Sequence, residues 1–198
     1  MGQVGIGDHA SRLSDVRKRA EPEEIFFTSG GTEADNWAVK GSEGGLLVSA
    51  YEHHAVLNAA AHEAVRGRMV VYARPTRNGV IGVRQIADAW QKGIGLVSVM
   101  TANNEIGTVN DVGALAAEAH SRGALFHTDA VQAVGHIPID ARKLGVDFLS
   151  SSDSQNTQVS HVLKAIRLPV RLAKGVIRIS LGAENTLLDV RRIVDAMR

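Results

Sequence analysis

Residues Phe26 to Asn36 read FFTSGGTEADN, and this stretch decides the fold class. Ile25, Phe26 and Phe27 suit a buried strand, being β-branched or aromatic. The paired glycines Gly30 and Gly31 then let the backbone turn tightly where a Cβ would intrude. Beyond them the pattern becomes helical, with Thr32 placed to cap a helix that carries Ala34, Trp37 and Ala38 on one face. The free N–H groups and the positive dipole end of such a helix point toward whatever lies above the strand, which suits an anionic ligand. An ordinary capped strand-to-helix turn uses the same residues, and no complete P-loop is present, so the choice rests on the rest of the chain.

Outward from this turn the chain alternates between the two kinds of element. The pattern predicts a strand over 25–28, a helix over 32–40, a turn over 41–45, a strand over 46–49, a helix over 54–65 and a strand over 69–72. A helix over 84–90, a strand over 96–100, a helix over 111–120, a strand over 124–127 and a strand over 146–150 complete the alternation. Val112, Leu115, Ala116 and Ala119 share one face of the 111–120 helix. Such alternation is that of an α/β protein with a mostly parallel sheet and helices on both faces, in which ligands bind at the carboxyl ends of the strands. The first twenty residues are glycine-rich and then weakly helical, with Leu13 and Val16 the only large apolar side chains of the helical part, which predicts a loosely attached end.

Composition narrows the function. With 44% apolar and 22% charged residues over 198 positions, the chain can bury a globular core. The 22 basic and 21 acidic residues leave a net charge of +1 with signs interspersed, which gives no electrostatic case for nucleic acid or an anionic membrane. No long apolar span or signal-peptide pattern is visible, so a cytoplasmic location is expected. Zero cysteines exclude disulfides, thiolate metal ligation and thiol catalysis on this chain, and no metal is expected.

The polar motifs sit just after strands. YEHHAVL puts His53 and His54 ahead of a helix, TANNEIGT supplies side-chain amides, and TDAVQ places Asp129 three residues before Gln132. Each alone reads as a cap or a turn. Together they gather an imidazole, an amide, a carboxylate and a phosphate-ready helix at one sheet edge, which points to a cofactor site.

The segments EEIFFTSGGTEADNWAVKG, EHHAVL, ANNEIGTV, FHTDAVQAVGHIPID and LGVDFLS, with SHVLKAI and IRISLGAENT after them, resemble the cysteine desulfurases, pyridoxal-phosphate (PLP) enzymes among the class-V aminotransferases. The resemblance covers most of 21–151 and again about 160–198. It implies an aspartate-aminotransferase-like large domain over 1–151, with a shortened N-terminal arm and missing late strands, and a remnant of the small C-terminal domain over 152–198. It implies that Gly31 and Thr32 hold the PLP phosphate and that His53 stacks on the pyridine ring. Asn104 and Gln132 would bond the phenolic oxygen, and Asp129 would pair with the pyridinium nitrogen. Arg178 would bind the substrate carboxylate, where a bidentate guanidinium suits a planar anion. The family reaction takes L-cysteine to L-alanine and passes the sulfur to iron–sulfur cluster or thiocofactor assembly, in homodimers.

The departures bear on catalysis. The resemblance implies a Ser-x-His-Lys segment after the strand at 146–150, whose lysine forms the Schiff base, but here SSDSQNTQVSHVLKA stands in that place. The chain reads as though everything from that lysine through the catalytic-cysteine loop were excised, leaving a helix over 160–166, a strand over 176–180 and a helix over 186–197 with Val190, Ile193, Val194 and Met197 on one face. Lys40, Lys92, Lys143, Lys164 and Lys174 fall in segments that match other parts of the pattern. The expectation is therefore a catalytically impaired relative that binds PLP noncovalently. Two alternatives stand beside it: a noncatalytic scaffold forming a homodimer or a heterodimer with a full-length relative, and a generic α/β phosphate-ligand-binding domain.

Overall fold

The computed structural model describes residues 24–134 and 136–151, together with the backbone of residues 3–6. The expected helices over 160–166 and 186–197, the strand over 176–180 and Arg178 lie outside the described residues. In chain order the elements are β1 (Gln3–Ile6), β2 (Ile25–Phe27), α1 (Gly31–Gly41), β3 (Gly45–Ser49), α2 (His54–Val65) and β4 (Val70–Ala73). Then come α3 (Val83–Ala89), β5 (Ile94–Ser98), α4 (Val112–Ser121), β6 (Leu125–Asp129), α5 (Ala141–Leu144) and β7 (Phe148–Ser151). The strands form one seven-stranded sheet in the order β2-β1-β7-β6-β5-β3-β4, and every pairing is parallel.

Both faces of this sheet are covered, and the period of two along each strand decides what goes where. Leu46 and Val48 of β3 and Leu96 of β5 face one way, onto Val39 of α1 and Val56, Ala59 and Ala60 of α2. Leu47, Val97, Phe126 and Leu149 face the other, onto Ile86 of α3 and the Val112, Leu115, Ala116 and Ala119 stripe of α4. That stripe is buried throughout, as its spacing predicts. Asp111 starts α4 by accepting the Ala114 N–H on Oδ1 at 3.1 Å. Arg68 closes α1 from a distance: Nη1 donates to Val39 O at 2.7 Å, Nε to Gly44 O at 2.5 Å and Nη2 to Ser42 Oγ at 3.0 Å. Its guanidinium satisfies carbonyls that the helix itself leaves open.

Several expectations need correction. The N-terminal end is not merely a loose arm, because Gln3–Ile6 inserts as β1 between β2 and β7. The strand at Ile25–Phe27 is not buried, since it ends the sheet, and Phe26 and Phe27 are 38% and 63% exposed. Thr32 does not cap α1: Gly30 holds the cap position without a side chain, and the Glu33 and Ala34 N–H groups turn back to its carbonyl. Trp37 is exposed, and Asp35 and Val39 instead join Ala34 and Ala38 on the buried stripe. Strands β5 and β6 are also shifted from their expected bounds, and β6 reaches Asp129, which makes that residue the strand's last rather than part of the loop beyond it.

Candidate functional site

Parallel strands bring their carboxyl ends to one edge, and the polar residues of the chain collect there. Asp129 ends β6, His53 caps α2 just after β3, and Asp35 enters from the inward stripe of α1. One ligand atom from each of these three lies within 4.8 Å of the others.

Each is held by its local structure. The Asp129 side chain is 3% exposed, and its Oδ1 accepts the Val131 N–H at 2.9 Å, so the turn after β6 fixes the carboxyl. Burial pushes this acid up to about 6 against that bond. His53 Nδ1 accepts the Ala55 N–H at 3.2 Å, which orients the ring at the mouth of the site. Burial, and then His54 beside it, lower its pKa, so the ring is more readily neutral than a free histidine. Asp35 is 1% exposed and is pushed up to about 9 by burial first and by Asp129 next, with Ser150 opposing. Its Oδ1 stands 3.6 Å from His127 Nε2, beyond hydrogen-bond reach.

Beneath these residues lies a second polar tier. His127 in β6 bridges Ser98 Oγ through Nδ1 at 2.8 Å and Ser150 Oγ through Nε2 at 2.9 Å, tying β5 to β7. Burial pushes it down to about 3, so the imidazole is neutral and supplies no counter-charge to Asp35. Glu52 is fully buried; its Oε1 accepts the Met100 N–H at 2.7 Å and also the Ser49 hydroxyl. Burial drives Glu52 up to about 8, so it is a neutral acid at pH 7, and it pins the segment carrying His53 to the end of β5.

The expected residues are not all gathered. His53 and Asp129 converge. Asn104 and Gln132 are half-buried in the turns after β5 and β6, where Asn103 shapes the first turn. Asn103 donates to Tyr51 O at 3.0 Å and accepts the Glu105 and Ile106 N–H groups, leaving Asn104 as the next residue on the rim. Gly31 is buried in the first turn of α1, and Thr32 is exposed there. Thr32 lines a cleft of about 1210 Å³ with Phe26, Trp37, Phe148 and Ser150, and none of His53, Asn104, Asp129 or Gln132 lines that cleft. Sequence reasoning missed Asp35, Glu52 and His127. The available signals were an acid between Ala34 and Ala38 on an apolar stripe, and polar residues inside strand-like runs.

A doubly covered parallel sheet with acids and an imidazole at its carboxyl edge defines an α/β domain of the open-sheet class. Residues 14–157 match the aminotransferase class-V family, and the chain belongs to that family. It is 44% identical over 140 residues to the cysteine desulfurase IscS of Methanosarcina thermophila, a match that spans 67% of this chain and 35% of that protein. The chain thus spans about a third of the length of the curated relatives it matches. Among solved structures it resembles DndA from Streptomyces lividans, at 34% identity and a TM-score of 0.61 over 70% of this chain and 41% of that one. SspA in complex with cysteine shares the fold, with a TM-score of 0.72 at 24% identity over 93% of this chain and 64% of that one.

Proposed function

We propose that this chain is a cysteine desulfurase-like protein that retains a noncovalent PLP site and has lost desulfuration. The observation that carries the reading is Asp129: a buried carboxyl, fixed by the Val131 N–H, within 4.8 Å of the His53 ring. An acid held there without a cation is costly, and a protonated pyridine nitrogen is a partner that offsets the cost. The residues present therefore fit the ring end of PLP. Asp129 would pair with the ring nitrogen, His53 would cover the ring face, and Asn104 and Gln132 would reach the phenolic oxygen. Gly31 and Thr32, whose N–H groups lie in the first turn of α1, would take the phosphate. When bound, PLP supplies an electron sink for a substrate carbanion.

The chain's own inventory restricts the chemistry open to it. Desulfuration needs a proton acceptor at the substrate α-carbon and a thiolate to take the sulfur. This chain has no cysteine, and the lysine that the family places after the strand ending at Ser151 is replaced by the SDSQNTQ run. L-Cysteine, or an amino acid like it, is accordingly a ligand in this reading, with Arg178 as its carboxylate partner. The large domain over 1–151, the small-domain remnant over 152–198 and a cytoplasmic location belong to the same proposal. Among the described residues no helix is long and apolar enough to cross a membrane.

A second reading, a scaffold that forms a homodimer or pairs with a full-length relative, is favoured by the exposed Phe26 and Trp37, which line the same cleft. Titration of the purified chain with PLP, monitored by absorbance and circular dichroism, tests the first reading. A saturable signal that Asp129→Ala weakens at least tenfold, with no borohydride-fixed attachment to a lysine, is expected. Robust alanine formation from L-cysteine overturns the loss of desulfuration, and wild-type chain that gives no saturable signal overturns the cofactor site.

A further inference from the structure

Beyond the ends of β3 and β5 the sheet ladder no longer joins the two segments that carry His53 and Asn104. The last pair between these strands is Val48 with Ser98. Past it, the Ala50 N–H turns to Ala73 O of β4 at 2.8 Å, while the Val99 and Thr101 N–H groups turn to His127 O and Asp129 O of β6 at 3.1 and 2.9 Å. Each segment thus keeps its outer neighbour, and side chains take over the joining of one to the other. Asn103 makes that joint.

Asn103 is 2% exposed, and its amide works in two directions. Oδ1 accepts the Glu105 N–H at 2.9 Å and the Ile106 N–H at 3.1 Å, which fixes the turn that presents Asn104. Those two bonds orient the amide, and Nδ2 then donates to Tyr51 O at 3.0 Å, two residues before His53, and meets Met100 Sδ at 3.3 Å. The backbone of Asn103 is engaged as well: its N–H donates to Thr108 O at 2.9 Å and its carbonyl accepts the Gly107 N–H at 3.0 Å. An asparagine that only shapes a turn needs the Oδ1 bonds alone. The bond to Tyr51 O does something more, because it crosses 52 positions of sequence to hold the other rim of the site. Glu52, through Oε1 on the Met100 N–H, strengthens the same joint.

We propose that Asn103 is a positioning residue that holds His53 and Asn104 at a fixed separation, so that the imidazole wall and the amide rim of the site move together. The inference rests on the cofactor reading for its ligand, a flat heteroaromatic ring that meets the imidazole on its face and the amide at its edge oxygen. Two independent loops would close on such a ring only by giving up their own freedom at the moment of binding, and that loss is subtracted from affinity. The Asn103 amide removes the freedom beforehand, which is how a supporting residue sharpens a site without being one of its ligands.

The test compares the full chain with two variants. Asn103→Ala loses both kinds of bond, whereas Asn103→Asp keeps an acceptor for Glu105 and Ile106 and lacks the donor for Tyr51 O. Without PLP, hydrogen–deuterium exchange of the amides at 52–55 should rise about fivefold in both variants, as the loss of one neutral hydrogen bond allows. Exchange at 105–107 should rise only in Asn103→Ala, and that of α4 in neither. With PLP, affinity should fall about tenfold in both variants, with a weaker circular dichroism of the bound cofactor. Arg68→Met, which frees the far end of α1, should leave PLP affinity within about twofold and so separates positioning from a general loss of stability. Should either Asn103 variant fail to fold, as judged by far-ultraviolet circular dichroism, the other carries the test. Exchange at 52–55 that stays at the wild-type rate overturns the proposal whether or not PLP binds. PLP affinity within about twofold of wild type also overturns it. Wild-type chain that gives no saturable PLP signal, while exchange at 52–55 responds to the variants, sinks the cofactor reading and leaves the joint between the two segments standing.

Discussion

Glu52→Gln offers a direct measure of how dry the carboxyl edge is. Glu52 is fully buried, and its Oε1 accepts from Met100 N and Ser49 Oγ, bonds that an amide oxygen keeps. The substitution therefore removes the ability to ionise and little else. Burial raises the acid from 4.5 to about 8 in the folded chain. Below 4.5 the group is protonated whether the chain is folded or not, and ionisation contributes nothing to the difference. As pH rises, the unfolded chain gives up the proton first, so the folded state holds more protons and wild-type stability falls until the folded group also ionises near 8. At 1.36 kcal/mol per pKa unit the whole displacement is worth about 5 kcal/mol, of which about 3 kcal/mol falls between pH 5 and pH 8. Urea denaturation of both proteins in chelator at several pH values across that window measures it. The variant should match wild type within about 1 kcal/mol near pH 5 and exceed it by about 3 kcal/mol near pH 8. A difference that stays flat from pH 5 to 8, or wild type gaining on the variant as pH rises, refutes the reasoning.

Buried polar joints elsewhere in the fold give further expected outcomes. Arg68→Met removes the donors that hold Val39 O, Gly44 O and Ser42 Oγ, and should cost about 2–3 kcal/mol by chemical denaturation, with most of the loss kept in Arg68→Lys because a point charge cannot span those acceptors. Asn110 donates to Tyr51 Oη at 2.7 Å and Met100 O at 2.8 Å and accepts the Ile81 N–H at 3.0 Å. Asn110→Ala strands all three and should cost about 3 kcal/mol, read as a lowered urea midpoint at unchanged slope. Burial raises Tyr51 to about 12 while the Asn110 amide, donating to Tyr51 Oη, opposes that rise, so the same variant should move the tyrosine titration further up, read by ultraviolet absorbance, and a downward shift would refute this.

The framework was legible because burial leaves a period in the sequence. Leu46, Leu47 and Val48 form a continuous apolar run because both sheet faces are covered, and the α4 stripe recurs at helical spacing. What the pattern could not carry was pairing. QVGI is short and glycine-containing, and only its place between β2 and β7 makes it a strand. Phe26 and Phe27 are as apolar as any core residue, and it is the edge position of β2 that leaves them exposed. His53 and Asp129 were readable because each lies at the end of a strand-like run, where a polar side chain has no packing reason to be. Asp35 was not, because one acid on a helix stripe looks like solvated surface until the sheet it faces is known.

That hidden acid changes what the site demands of a ligand. Burial first, and Asp129 after it, raise the proton affinity of both Asp35 and Glu52 at one edge, the His127 imidazole beneath them is neutral, and burial lowers His53 as well. In the proposed function Asp129, the most acidic of these three buried carboxyls, favours a ligand that brings positive charge, such as a protonated ring nitrogen. None of these groups needs the lysine or cysteine that desulfuration requires. They are set by β6, by the cap of α2 and by the inward face of α1, all of which this chain possesses. In the proposed function ligand capture and sulfur chemistry are therefore separable: the second needs a thiolate that this chain lacks, while the first draws on buried acids that it keeps.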